Sequence, residues 1–172
     1  MIKQEQNSYI PYRKIKNIKN ISLSILETIL EYTSTIERRN PSIFDNYSHQ
    51  YHLSNLDNYD FKDLFEFCCK ILRINDNLLV LIMMNLEKVI SGGKFILCNK
   101  NINKLFYTCL VVTQKYYEDI PINNKSFAEL VDINCDELLD MEIEFMNMVN
   151  FSLYIKEEDF EKYKQKIIKF NL

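Results

Sequence analysis

The side chains that could do chemistry in this 172-residue sequence are two histidines, five cysteines and a handful of acids. His49 and His52 stand three apart in a segment with no helical period. A zinc ion bound there would need thiolate or imidazole partners. No cysteine lies near them in sequence, and no Cys-x-x-Cys pair exists. Cys68-Cys69, Cys98, Cys109 and Cys135 could each supply a nucleophile. Cys68 and Cys109 fall on apolar faces, where a thiol stays protonated and inert. A Cys-His pair would have to draw its base from the one histidine loop. Glu142 and Glu144 sit two apart on a helical stretch and so point to different faces, not toward one acid pair. Gly92-Gly93 lacks the lysine, serine and preceding strand of a phosphate loop. The expectation is no catalytic residue, no cofactor and no metal, and therefore a binding module, not an enzyme. Met83, Met84, Met141, Met146 and Met148 could line an adaptable peptide groove, but at helical spacing they read as core packing.

The totals fix what kind of body carries these residues. The sequence is 47% hydrophobic and 26% charged, enough apolar content for one domain with a sizeable core. Its formal net charge of -3 gives no overall field that would draw nucleic acid. With 2 Gly and 3 Pro it has few of the tight turns that an all-β fold needs, which favours helices. The longest apolar run, 78–84, is too short to span a bilayer, so no membrane is expected. The polar, basic start lacks a secretory apolar region, and the cysteines have no regular spacing. Reduced thiols in a cytoplasmic or nuclear protein are the expectation.

Periodicity then places the elements. Residues 1–20 read as a polar, basic tail. A helix is expected over 21–38, capped by Asn20 or Ser22 and ended by Asn40-Pro41. Residues 41–58 read as a loop. Helical patterns resume at 61–74, with Asp60 as cap, and at 78–90, with Asn75-Asp76-Asn77 before it. Gly92 and Gly93 follow, where a left-handed turn can close a helix. A helix opening at Asn99 or Asn101 runs to about Tyr117, and its middle, 105–112, is apolar all round. Such a helix must be enclosed by others. A polar loop over 118–125, a short helical turn over 126–131, a long helix over 136–150 and a last one over 157–170 complete the chain. The last begins with acids and ends with lysines, matching its dipole.

Several ordered stretches resemble a known family. Lys115-Tyr-Tyr-Glu-Asp-Ile-Pro-Ile-Asn-Asn-Lys-Ser-Phe-Ala128 resembles the segment between the third and fourth helices of the cyclin box. It is most similar to the P-type, or U-type, cyclins. Met141-Glu-Ile-Glu-Phe-Met146 matches that group's Leu-Glu-x-Glu-Phe-Leu, and Val149-Asn-Phe-Ser-Leu153 its helix end. Asn101-Ile-Asn-Lys-Leu105 resembles Asn-Val-His-Arg-Leu, and Leu86-Glu-Lys88 resembles Leu-Asp-Arg. Glu157 to Tyr163 match the helix after the box.

The resemblance implies an all-α fold: a five-helix cyclin box over 59–151 around one buried helix, with flanking helices at 21–38 and 157–170 in a single domain over 21–172. It also implies a regulatory subunit that binds a cyclin-dependent protein kinase, without nucleic acid, membrane or obligate homo-oligomer. The alternative is a cyclin-fold scaffold that holds a transcription factor or other protein and activates no kinase. Kinase-facing residues are expected at Asn101, Lys104, Tyr117, Glu118, Asp119, Asn123 and Asn124, beside a small apolar patch. On that reading a Lys104→Glu, Asn124→Arg double substitution keeps its helicity and loses the kinase. Three departures from the family stand out. Phe67 takes the place of an arginine expected to pair with the acid at Glu87, so apolar packing should replace that ion pair. Leu130-Val-Asp132 replaces Val-Gly-Gly. Asn101 and Asn124 fall near the kinase-directed lysine and glutamate of cell-cycle cyclins.

Overall fold

The computed structural model describes residues 17–41, 60–93 and 95–170. Among them all regular structure is α-helical: α1 (Ile18–Arg39), α2 (Phe61–Ile71), α3 (Asp76–Ser91), α4 (Ile102–Tyr117), α5 (Asn124–Val131), α6 (Cys135–Met148) and α7 (Glu157–Lys169). The histidine loop and most of the basic tail lie outside the described residues. The expected helices are all present, with shifted ends. α1 starts at Ile18 because the Asn17 side chain accepts the Lys19 N–H at 3.0 Å and Ile18 is buried. α5 begins at Asn124, capped by Asn123 through Ser126 N–H. Asp60, Asn75 and Asn134 cap α2, α3 and α6 in the same manner.

α4 is the axis of the fold. Every residue from Ile102 to Gln114 is buried. A helix with no solvent face survives only when others wrap it, and here α2, α3 and α6 do so. Phe61 and Phe65 of α2 meet Phe106 of α4 with ring centroids 5.6 and 5.1 Å apart. Phe127 of α5 stands edge-on to Tyr107 at 5.6 Å. Each such fully buried side chain contributes about 2–3 kcal/mol from area alone. α1 and α7 pack on α3 and on each other. Met83 and Met141 are buried, and Met84, Met146 and Met148 pack partly buried against the core, as their spacing suggested.

The Phe67 expectation fails. Phe67 is 42% exposed and lines an open cavity with Leu64, Tyr107 and Leu130, so it is no buried apolar replacement for an ion pair. Burial, and after it the neighbouring Glu87 carboxylate, pushes the Tyr163 phenol of α7 up.

Asp132, where the family carries glycine, ends α5 with φ 54 and ψ 47. That left-handed conformation crowds a β-carbon and suits glycine. Asp132→Gly is expected to raise stability by about 0.5–1 kcal/mol. A urea midpoint that moves up with unchanged slope is the result to look for.

Candidate partner-binding surface

The residues expected at one corner do not lie together. Asn101 and Lys104 open α4, whereas Tyr117, Glu118 and Asp119 follow its last turn. A helix rises 1.5 Å per residue, so roughly 20 Å separates the two groups. Asn101 is 1% exposed and its side chain is fully used: Oδ1 accepts the Cys98 N–H at 2.9 Å, and Nδ2 donates to the Ile96 carbonyl at 2.8 Å. It braces the buried 95–98 segment. Lys104 is also buried, and its Nζ lies 2.7 Å from Glu137 of α6. Neither presents a polar group to a partner. Asn124 is half-buried with its Oδ1 enclosed. Asp119 and Asn123 are exposed, and Glu118 is partly so.

Tyr117 is half-buried. Its hydroxyl donates to the Leu153 carbonyl at 2.9 Å and accepts the Ile155 N–H at 3.1 Å, tying the end of α4 to the segment between α6 and α7. Burial pushes its phenol up. Lys88 of α3 donates to the Ser152 carbonyl at 3.0 Å, and burial lowers its ammonium from the usual range. Lys115 meets both carboxylate oxygens of Glu142 at 2.7 Å, joining α4 to α6. Glu144 faces elsewhere: burial pushes its carboxyl up.

Exposed apolar side chains surround these ties. Tyr116 follows Lys115, Ile143 follows Glu142, and Leu139 lies one turn before Ile143. Phe151 and Tyr154 flank Leu153. Their exposures run from 48% for Leu139 to 68% for Phe151, and Ile120 reaches 91%. The Tyr116 ring stands edge-on to Tyr117 with centroids 4.8 Å apart. Exposed apolar side chains next in sequence to such fixed joints are the candidate for a protein-binding surface. Sequence periodicity missed this surface. Leu139 and Ile143 are apolar residues of α6 that the fold leaves exposed.

Four of the five thiols are buried and Cys135 is exposed. Burial pushes Cys68 and Cys109 up to about 12 and Cys69 up to about 11, and it raises Cys98 as well. None of these four is a thiolate at neutral pH. No group of three or more His, Cys, Asp or Glu among the described residues could hold a metal ion. No helix among them is long and apolar enough to cross a membrane.

The sequence pattern that defines the cyclin family, described as Cyclin, matches residues 63–153, just over half of the chain. The chain belongs to the cyclin family. The matched region runs from within α2 to just past α6 and closes at Leu153, whose carbonyl Tyr117 holds. Cyclin-U2-1 of Arabidopsis thaliana is 30% identical over 63 residues, covering 37% of this cyclin and 28% of that protein. PHO85 cyclin-7 of Saccharomyces cerevisiae is 28% identical over 76 residues, covering 44% and 27%. Cyclin-U4-3 of Arabidopsis thaliana is 25% identical over 79 residues, covering 45% and 36%. These relatives place the cyclin in the U/P-type group. The matched stretch spans about a third or less of each relative's length.

Proposed function

We propose that this cyclin is a regulatory subunit that binds a cyclin-dependent Ser/Thr protein kinase and activates it by positioning the kinase's regulatory helix. The cyclin supplies no catalytic atom. In a protein kinase, a glutamate on that helix must pair with the strand lysine that holds the ATP phosphates, and fixing the helix completes the active site. A rigid apolar surface suits that task. The observation that carries the reading is the exposed pair Leu139 and Ile143, one turn apart on α6 and flanking Glu142, whose pair with Lys115 locks α6 to the buried axis. The likeness to proteins that are themselves named cyclins, PHO85 cyclin-7 among them, supports the reading. Tyr116 and Phe151 extend the proposed contact, and Glu118, Asp119 and Asn123 form its polar rim. A stable contact of this kind buries about 2,000 Å² or more in total.

The test mixes the purified chain with recombinant cyclin-dependent kinases of the source organism and follows phosphorylation of a peptide. At least one kinase should gain activity. Ile143→Glu places a charge in the centre of the contact and should weaken that kinase's binding about 30-fold, with the thermal midpoint unchanged. A chain that stimulates none of them, or an Ile143→Glu variant as potent as the parent, would sink the reading.

A further inference from the structure

Three helices of this cyclin end in the same way, and one of the three ends is used differently. α2 closes with Arg73 at φ 49 and a bond from Ile74 N–H to the Cys69 carbonyl. α5 closes with Asp132 at φ 54 and a bond from Ile133 N–H to the Ala128 carbonyl. α6 closes with Asn150 at φ 51 and a bond of 2.7 Å from Phe151 N–H to the Met146 carbonyl. In this closure the residue after the left-handed one ordinarily packs an apolar side chain back on the helix. Ile74 and Ile133 do so, packed partly buried against the core. Phe151 does the opposite. It is 68% exposed and is itself left-handed at φ 54.

A bulky residue gains nothing locally from either condition. The left-handed region crowds its β-carbon, and exposure forgoes burial of the ring. Strain of this sort persists where surrounding structure imposes it, and it gathers at functional positions. The surrounding structure here is specific. Lys88 holds the Ser152 carbonyl, and the Tyr117 hydroxyl holds both the Leu153 carbonyl and the Ile155 N–H. Leu153, between them, is buried. The chain just after Phe151 is thus pinned from α3 and from α4, and the ring is left pointing outward.

We propose that Tyr117 and Lys88 are positioning residues that pre-set Phe151 as the aromatic anchor of the partner contact. The inference deepens the kinase-binding reading above and rests on it. An anchor already in its bound geometry loses less freedom on association, so the clamp acts on affinity through Phe151. Tyr117, expected from sequence to touch the kinase, acts in this account from behind the surface.

The experiment compares Phe151→Ala, Tyr117→Phe and the double variant of the full chain, against the kinase that the parent chain activates. Tyr117→Phe keeps the ring and removes both hydrogen bonds. Phe151→Ala should weaken binding about 30-fold and Tyr117→Phe about tenfold. Adding Tyr117→Phe to Phe151→Ala should then cost less than a further twofold, because the clamp has nothing left to position. A merely structural Tyr117 would instead give losses that multiply. Hydrogen exchange of the amides from 151 to 155 in the free chain provides a readout that needs no partner. Exchange there should quicken at least tenfold in Tyr117→Phe while the α4 amides stay protected. Multiplying losses, full binding by Phe151→Ala, or unchanged exchange at 151–155 each overturn the proposal. If the parent chain binds no cyclin-dependent kinase, the functional reading fails and the anchor role with it, while the exchange result still decides whether the clamp exists.

Discussion

Lys104→Glu is expected to destabilise this cyclin by about 3–5 kcal/mol, enough to leave a marginal domain largely unfolded at physiological temperature. Lys104 is 3% exposed and its ammonium lies 2.7 Å from Glu137. Reversing its charge leaves a carboxylate buried at position 104 and sets it against Glu137. Lys104→Met should be far milder, within about 1–2 kcal/mol. Methionine fills nearly the same space, and the Glu137 side chain, 36% exposed, can turn to solvent. Thermal or urea unfolding of the two variants separates these cases. Equal midpoints for Lys104→Glu and the parent would show that the pair carries no stability. The expectation that a Lys104→Glu, Asn124→Arg double variant keeps its helicity and loses only the kinase is therefore withdrawn. Loss of binding in that variant would report unfolding, not a lost contact.

Asn101→Ala is expected to cost about 2–4 kcal/mol. Its amide satisfies one backbone donor, Cys98 N–H, and one backbone acceptor, the Ile96 carbonyl. Truncation leaves both without that partner in a buried segment, and each such group costs about 1–3 kcal/mol. Phe95, Leu97 and Cys98 are all buried, so the segment cannot swing out to water without giving up core contacts. Calorimetry on the purified variant measures the loss. A midpoint within a degree or two of the parent would mean that water replaces the amide at no cost. The same variant bears on the site question. If it stays folded in the cold and binds the kinase normally, Asn101 is structural, as its burial indicates.

The helices were legible because their cause is local. Caps at Asp60, Asn75 and Asn134, the apolar run at 105–112 and the acids-to-lysines gradient of 157–169 are written in short windows, and backbone hydrogen bonds within a helix need no distant partner. The family was legible for a related reason, since its motifs are helix ends and turns. Boundaries shifted where a cap competed with a neighbour: Asn17 starts α1 ahead of Asn20 because burial of Ile18 favours the longer helix.

The candidate site was legible only in part. Asp119 and Asn123 stand on the surface as expected, while Asn101 and Lys104 are enclosed. A lysine near a helix start reads as solvent-facing unless the position of Glu137, 33 residues later, is known. Phe151 was read as the apolar end of a helix, and nothing in its neighbours predicts that its ring faces outward. Residue types and their spacing determined by themselves that this chain is a set of helices around one wrapped helix, with the motifs of a U/P-type cyclin. Tertiary structure alone decided which polar groups are consumed by Cys98, Glu137 and Leu153 and which apolar ones are left to solvent. The physical reason is range: helix formation is settled over a few residues, whereas burial and side-chain pairing depend on which distant segment the fold brings alongside.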